Sequence, residues 1–323
     1  MADADNATRA PESDAQETST PAEAPAPATS TATATATAPV TGEHCVTDRP
    51  TPSGQSSTGE IIKLNDVDVY ISKPADYPHA PARLLLLLTG GTGIQSVNNQ
   101  IQADRFAAEG FLVLMPDIFA GDGPAPGTVA IDPSSSSWLE QVKLKAAEVT
   151  KSFVIDMWLA RVTPDRVLPV LHRVLDAARD RYADAVRQGD GIYAVGYCVG
   201  ARFVLLLGKQ TTEAAADEES GPTTRGPYIK AGALAHAASV APEDFDDVCV
   251  PLSLVCVEDD PLFSDEVRTL GEDAMSKANL EHEVQVYPGV PHGFAVVGEY
   301  AEANIKEAQA TAYEQMLKWI KEH

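Results

Sequence analysis

The segment Gly-Tyr-Cys-Val-Gly at residues 196–200 constrains the fold of this 323-residue chain more than any other feature. It follows the apolar run 192–195 and precedes the helix-like stretch 201–207. A residue flanked by glycines in this way, between a strand and a helix, is typical of a sharp turn that exposes a nucleophile. Here that residue is Cys198. The alternative is an ordinary glycine-rich turn that contains a buried cysteine.

A cysteine nucleophile needs a general base within hydrogen-bond reach, and histidine is the usual base near neutral pH. Among seven histidines, His292 lies in the Pro/Gly-rich loop 288–293, directly after a strand-like alternation at 284–287. Loops beyond the carboxyl ends of strands are where parallel sheets bind ligands. His292 is therefore the predicted base, unless it merely caps its turn. His236 follows the apolar run 231–235 and is either a core residue or a pocket residue.

An acidic residue should orient the histidine and compensate its charge. Enzymes with a nucleophile on such a turn place the acid between the nucleophile and the histidine along the chain. Glu258, Asp259 and Asp260 follow the apolar run 252–257 within that interval. Spacing alone does not select one of them, and at least one suits a capping role for the next helix.

The segments GYCVGARF at 196–203, EDDPLF at 258–263 and YPGVPHGFAV at 287–296 resemble the catalytic segments of the dienelactone hydrolase family, in its fungal-type branch. The segment 84–122 resembles the family's first core strand, oxyanion loop, helix and second strand. The resemblance runs from about residue 59 to the C-terminus. It implies an α/β-hydrolase fold, a mostly parallel sheet with helices on both faces. It also implies that Asp260 is the acid, and that the backbone N–H groups of Gly91 and Val199 form the oxyanion hole.

Two positions depart from the family pattern. Family members that act on dienelactone carry a glutamate where this chain has Gly90, and an arginine shortly after the histidine, where it has Val296 and Val297. Activation of the thiol by that glutamate is absent, so His292 would generate the thiolate directly.

The predicted function is hydrolysis of an ester, lactone or thioester by Cys198, His292 and Asp260 through an acyl-enzyme, with a substrate other than dienelactone. The alternative is a catalytically idle relative that binds a small molecule or a protein partner in the same pocket.

Composition divides the chain into two parts. Residues 1–39 contain no Leu, Ile, Val, Phe or Trp, so they cannot bury enough apolar surface to offset the entropy of ordering. We expect residues 1–57 to form a disordered acidic tail and residues 58–323 to form the hydrolase domain. The tail has neither the basic start nor the apolar stretch of a secretory signal.

The net charge and the cysteine content limit which binding partners and which cellular compartment we expect. A net charge of −23 argues against nucleic acid, and no apolar run is long enough to cross a membrane. The four cysteines lack zinc spacing and suit a reducing compartment. We expect a cytoplasmic monomer or homodimer that acts on a small-molecule ester or lactone without a metal or organic cofactor.

The remaining pattern predicts strand–helix alternation, with a hairpin at 61–71 that turns at Asn65-Asp66. A polar stretch at 211–225 predicts a solvated surface loop. The predicted strands are 84–89, 111–116, 191–197, 231–236, 251–257 and 283–287, and the predicted helices are 140–160, 164–187, 264–278 and 299–321.

Overall fold

The computed structural model describes residues 47–121, 157–213 and 223–323. Most of the predicted tail and most of the predicted helix 140–160 lie outside these ranges. The described strands are β1 (Glu60–Leu64), β2 (Val67–Ser72), β3 (Arg83–Leu88), β4 (Phe111–Pro116), β5 (Ile192–Tyr197), β6 (Thr211–Glu213), β7 (Thr223–Arg225), β8 (Ala231–Ala235), β9 (Leu252–Val257) and β10 (His282–Tyr287). Eight of them form one sheet in the order β1-β2-β4-β3-β5-β8-β9-β10, and β6 and β7 pair separately.

From β4 through β3, β5, β8 and β9 to β10, every neighbouring pair of strands is parallel. β1 and β2 extend the sheet as an antiparallel hairpin, and its turn residues Asn65 and Asp66 have φ of 44° and 65°. Positive φ at both positions matches the twist of a tight hairpin. The mostly parallel sheet and the hairpin are thus both confirmed.

Side-chain alternation along the strands builds a core on each face of the sheet. On β3, Leu84, Leu86 and Leu88 join one hydrophobic cluster, and Leu85 and Leu87 join the other. Successive strand residues point to opposite faces, so a continuous apolar run requires cover on both. The cover comes from α1 (Val97–Ala108) and α6 (Ala303–Glu322) on one face, and from α2 (Pro164–Arg181), α3 (Ala183–Gln188), α4 (Val199–Leu207) and α5 (Asp265–Lys277) on the other.

Three predicted elements differ in detail from the structure. The predicted helix 164–187 is two helices, because Tyr182 leaves helical geometry at φ −123° and ψ 38°. The C-terminal helix begins at Ala303 rather than at Glu299, and the Glu299 N–H is bonded to the Pro50 carbonyl (2.8 Å). The ends of the predicted loop 211–225 pair as the short strands β6 and β7.

Residues 47–51, here called the strap, are held on the domain by polar contacts rather than by an apolar face. Ser96 Oγ donates to Asp48 Oδ1 (2.9 Å), and Asn98 Nδ2 donates to the Arg49 carbonyl (2.7 Å). Thr51 Oγ1 donates to Asn98 Oδ1 (2.8 Å). The strap therefore contacts the domain ahead of the start predicted at residue 58. The predicted disorder of residues 1–46 stays a prediction.

Candidate active site

Cys198 occupies a strained turn between β5 and α4. Its backbone has φ 54° and ψ −123°, a conformation that is costly for any residue other than glycine and that is concentrated at functional sites. The Cys198 N–H donates to the Ala235 carbonyl (3.1 Å), and its own carbonyl accepts from the Ala238 N–H (3.1 Å). The end of β8 therefore holds the turn in place from one side.

Gly196 and Gly200 lie so close to neighbouring backbone atoms that neither position has room for a side chain. A Cβ at Gly200 would lie 2.4 Å from the Leu88 carbonyl oxygen, and one at Gly196 would lie 2.7 Å from the Ala201 Cα. Because backbone atoms make these contacts, no rotamer change can relieve them. These distances agree with the close-packed strand–turn–helix that the sequence predicts.

We expect Gly200→Ala to lower Tm by roughly 5–10 °C, because the backbone of β3 or α4 must shift to accept the methyl group. Gly54→Ala is the control. Gly54 also has a positive φ, of 79°, but a Cβ there would meet nothing within 4 Å. It should cost only about 1 kcal/mol of backbone strain. Equal Tm values for the two variants would contradict the contact argument.

Cys198 and His292 line the same pocket at the carboxyl edge of the sheet. Parallel strands present their carboxyl ends at one edge, so the residues that follow β5, β8 and β10 meet there: Cys198, His236 and His292. Arg49 of the strap lines the same pocket, as do the valines at 296–297. The site therefore combines the carboxyl edge of a parallel sheet with a segment that precedes the first strand.

Asp260 is the acid that contacts the histidine. His292 Nδ1 donates to Asp260 Oδ2 (2.7 Å), and the other carboxylate oxygen accepts from the Leu262 N–H (3.0 Å). Asp260 is 3% exposed, whereas Glu258 and Asp259 face solvent. Asp259 has φ 53°, and this turn returns the chain so that the next side chain points inward. The structure thus brings together the three side chains that the sequence selected.

The hydrogen bond to Asp260 fixes the imidazole so that Nε2 faces the pocket. Burial alone would lower the pKa of His292, but the Asp260 carboxylate and the Cys198 thiol outweigh it and raise the pKa to about 9. His292 Nε2 has no nitrogen or oxygen partner among the described residues. The Cys198 thiol interacts with the His292 ring and raises its pKa.

The raised pKa makes a prediction about stability. His292 titrates near 9 in the folded protein and near 6.5 when unfolded, so its contribution is fully present below about pH 6.5 and is lost as pH rises through about 9. The wild type should therefore lose unfolding free energy relative to His292→Gln across that interval. Denaturant unfolding at both ends of the interval measures it. A difference between the two proteins that stays constant with pH would contradict it.

The loop after β3 packs against the cysteine. The Gly93 N–H bonds to the Gly90 carbonyl (3.1 Å), which makes residues 90–93 a turn. A Cβ at Gly90 would lie 3.0 Å from the Cys198 Cβ, so this loop packs tightly against the nucleophile's side chain. Gly91 follows at the tip of the turn, and Val199 is the first residue of α4, where a helix leaves its N–H without an intrahelical partner.

The structure also locates two of the other three cysteines. Cys256 is buried on β9, where burial raises the pKa of its thiol to about 12, and Cys249 is exposed. Cys45 lies outside the described residues. Within the described part of the chain, no group of three or more His, Cys, Asp or Glu residues could hold a metal ion. Nor does any helix there have the length and apolarity needed to cross a membrane.

Two features of the pocket were not assigned from the sequence. The strap was included in the predicted tail, because its residues have no periodic apolar pattern that would signal packing. For His236, the sequence alone does not distinguish a core residue from a pocket residue. The one available signal was its position at the end of an apolar run, which also describes many core residues.

Comparison with known proteins now identifies the family. The model of the dienelactone hydrolase family matches residues 67–323. The chain belongs to this family. Membership makes the protein a hydrolase of the ester and lactone class with an α/β-hydrolase fold, which confirms the predicted family, fold class and enzyme class.

Similar proteins come from fungi and from bacteria. The hydrolase pyvD of Aspergillus violaceofuscus is 27% identical over 265 residues, which cover 82% of this chain and 90% of pyvD. The dienlactone hydrolase 1 of Gibberella moniliformis is 26% identical and is covered over 87% of its length by 81% of this chain. The structure of an esterase from the planctomycete Thermogutta terrifontis aligns with a TM-score of 0.54 at 16% identity, over 83% of this chain and 94% of the esterase. That last likeness concerns the fold.

Proposed function

We propose that this family member cleaves an ester, lactone or thioester with Cys198 as nucleophile, His292 as general base and Asp260 as the orienting carboxylate. The observation that carries the proposal is the buried 2.7 Å hydrogen bond from His292 Nδ1 to Asp260, in the pocket that Cys198 also lines. Nucleophile, base and orienting acid in this arrangement form a triad, which is defined by geometry and roles rather than by sequence position.

In the acylation step, His292 Nε2 takes the thiol proton, and the Cys198 sulfur, as the thiolate, forms a bond to the substrate carbonyl carbon. The carbonyl π electrons move to oxygen, and the N–H groups of Gly91 and Val199 stabilise that oxyanion. When the oxyanion collapses, the bond to the leaving group breaks. The leaving group takes the proton from His292, and a thioester acyl-enzyme remains on Cys198.

Water completes the cycle. His292 takes a proton from the water as its oxygen attacks the thioester carbonyl, and a second oxyanion forms at the same N–H groups. Its collapse expels the sulfur of Cys198, which recovers its proton from His292, and the carboxylic acid is released. Cysteine, histidine, aspartate and water supply every group that these steps require. The cytoplasm, where thiols are kept reduced, is the proposed compartment.

The pKa of His292 fits this role without a loop glutamate. A raised pKa favours the protonated imidazole beside Cys198, and therefore favours the thiolate, which is the reactive form of cysteine. Since Gly90 brings no carboxylate to the Cys198 side chain, we propose that His292 alone activates the thiol.

A substrate panel tests the proposal against a catalytically idle relative. p-Nitrophenyl esters, thioesters and lactones are incubated with the wild type and with Cys198→Ala, and product release is followed. Turnover by the wild type alone supports the proposal. Equal rates with the two proteins, at the level of the uncatalysed reaction, would favour an idle relative.

A further inference from the structure

His236 is a second histidine in the pocket. The residue is 1% exposed, and neither Nδ1 nor Nε2 is hydrogen-bonded to another of the described residues. Its ring meets the His292 ring edge to face, with the centroids 4.9 Å apart. Buried polar groups in native proteins are almost always paired, so an unpaired one at a pocket wall is available to a ligand.

The backbone directs this side chain into the site. His236 has φ 36°, a left-handed conformation that is uncommon for residues other than glycine and that occurs preferentially at ligand sites. Its N–H donates to the Val255 carbonyl (2.8 Å), which continues the pairing of β8 with β9 and fixes the position. The preceding residue, Ala235, accepts the hydrogen bond from the Cys198 N–H. His236 is thus joined by one backbone contact to the nucleophile's turn.

The charge state of the ring suits hydrogen bonding rather than acid–base chemistry. Burial, and then the neighbouring His292, lower the pKa of His236 well below 6.5. The ring is therefore neutral at physiological pH and carries one N–H donor and one acceptor nitrogen. A neutral ring also avoids repulsion when His292 is protonated.

We propose that His236 is a substrate-binding residue that hydrogen-bonds a hydroxyl or carbonyl oxygen close to the scissile bond. The substrate class that follows is an ester or lactone with a second oxygen-bearing group near the reacting carbonyl. The link to catalysis rests on the proposed function of Cys198, whereas binding by His236 can be measured without turnover.

Two variants separate hydrogen bonding from packing. His236→Asn keeps an N–H donor and an acceptor but loses the ring, and asparagine tolerates positive φ better than most residues. His236→Phe keeps a ring against His292 but has no polar atom. If Phe at this backbone angle fails to fold, as judged by its melting curve, His236→Ala replaces it with the same expected result.

Matched ester pairs provide the readout. p-Nitrophenyl 3-hydroxybutyrate is compared with p-nitrophenyl butyrate, and 2-hydroxyethyl butyrate with ethyl butyrate, so that the hydroxyl lies on the acyl or on the leaving side. We expect the wild type to favour the hydroxylated member of at least one pair by about tenfold in kcat/KM, the worth of one hydrogen bond. His236→Asn should retain most of this preference, and His236→Phe should lose it.

Three outcomes would overturn the proposal. They are the absence of a preference in both pairs for the wild type, retention of the preference by His236→Phe, and an equal loss of kcat/KM for both members of a pair in every variant. The last outcome would mean that His236 only packs against His292 or holds a buried water.

A binding measurement distinguishes failure of this proposal from failure of the proposed mechanism. Calorimetry in the Cys198→Ala background, with the preferred hydroxylated ester as the probe, should show a Kd that rises about tenfold when His236→Phe is added. An unchanged Kd would overturn the subsite, whatever the role of Cys198 is.

Discussion

Cys198→Ala is expected to lower kcat for ester hydrolysis by about a thousandfold or more, since removal of a triad nucleophile leaves only the oxyanion hole and binding. The fold should persist, because alanine is smaller than cysteine and the turn is held by backbone hydrogen bonds to the end of β8. Initial rates on a p-nitrophenyl ester, with a melting curve for each protein, measure both effects.

Cys256→Ala is the matched control for that substitution. Cys256 is also buried, but it lies on β9 away from the pocket, and its raised pKa makes it a poor nucleophile. This variant should lose some stability and keep its activity per folded molecule. Retention of more than about a tenth of wild-type kcat by Cys198→Ala would remove Cys198 from the mechanism.

Asp260→Asn is the second substitution with a large expected effect. An amide can still accept from the Leu262 N–H, so the local turn should survive, but it has no negative charge to stabilise protonated His292. It can also donate to Nδ1 and so favour the wrong tautomer. We expect kcat to fall by roughly a hundredfold to ten-thousandfold, with a much smaller change in KM.

Asp259→Asn is the control, one residue away and exposed to solvent. It should leave kcat within about a factor of two, since its side chain is not in contact with His292. If Asp259→Asn lost as much activity as Asp260→Asn, the loss would reflect the conformation of the loop after β9 rather than the hydrogen bond to His292.

The sequence predicted most of what depends on short-range pattern. The apolar runs located the parallel strands, because a strand buried on both faces has to be apolar throughout. Cys198 and His292 were identified because each follows a recognisable strand. Asp260 needed the family register as well, since spacing alone left Glu258 and Asp259 open. In the structure, the positive φ at Asp259 makes Asp260 the residue that points toward His292. The residue pattern does not predict this backbone conformation.

The remaining parts of the site depend on contacts between distant segments. The strap is held through the side chains of Ser96 and Asn98 at the start of α1 and through the Glu299 N–H. A short polar segment of this kind gives no periodic signal. His236 could be placed beside His292 only once the order of β5, β8, β9 and β10 was known.

The most direct test of the central claim is mass spectrometry of the enzyme during turnover of a p-nitrophenyl ester. The reaction is quenched in acid within the initial burst of p-nitrophenol, and the digested protein is searched for the acyl group. The account predicts one acyl group per chain, as a thioester on Cys198 in the peptide that contains residues 196–200. Acylation of another residue, with Cys198 unmodified while p-nitrophenol is released in a burst, would contradict it.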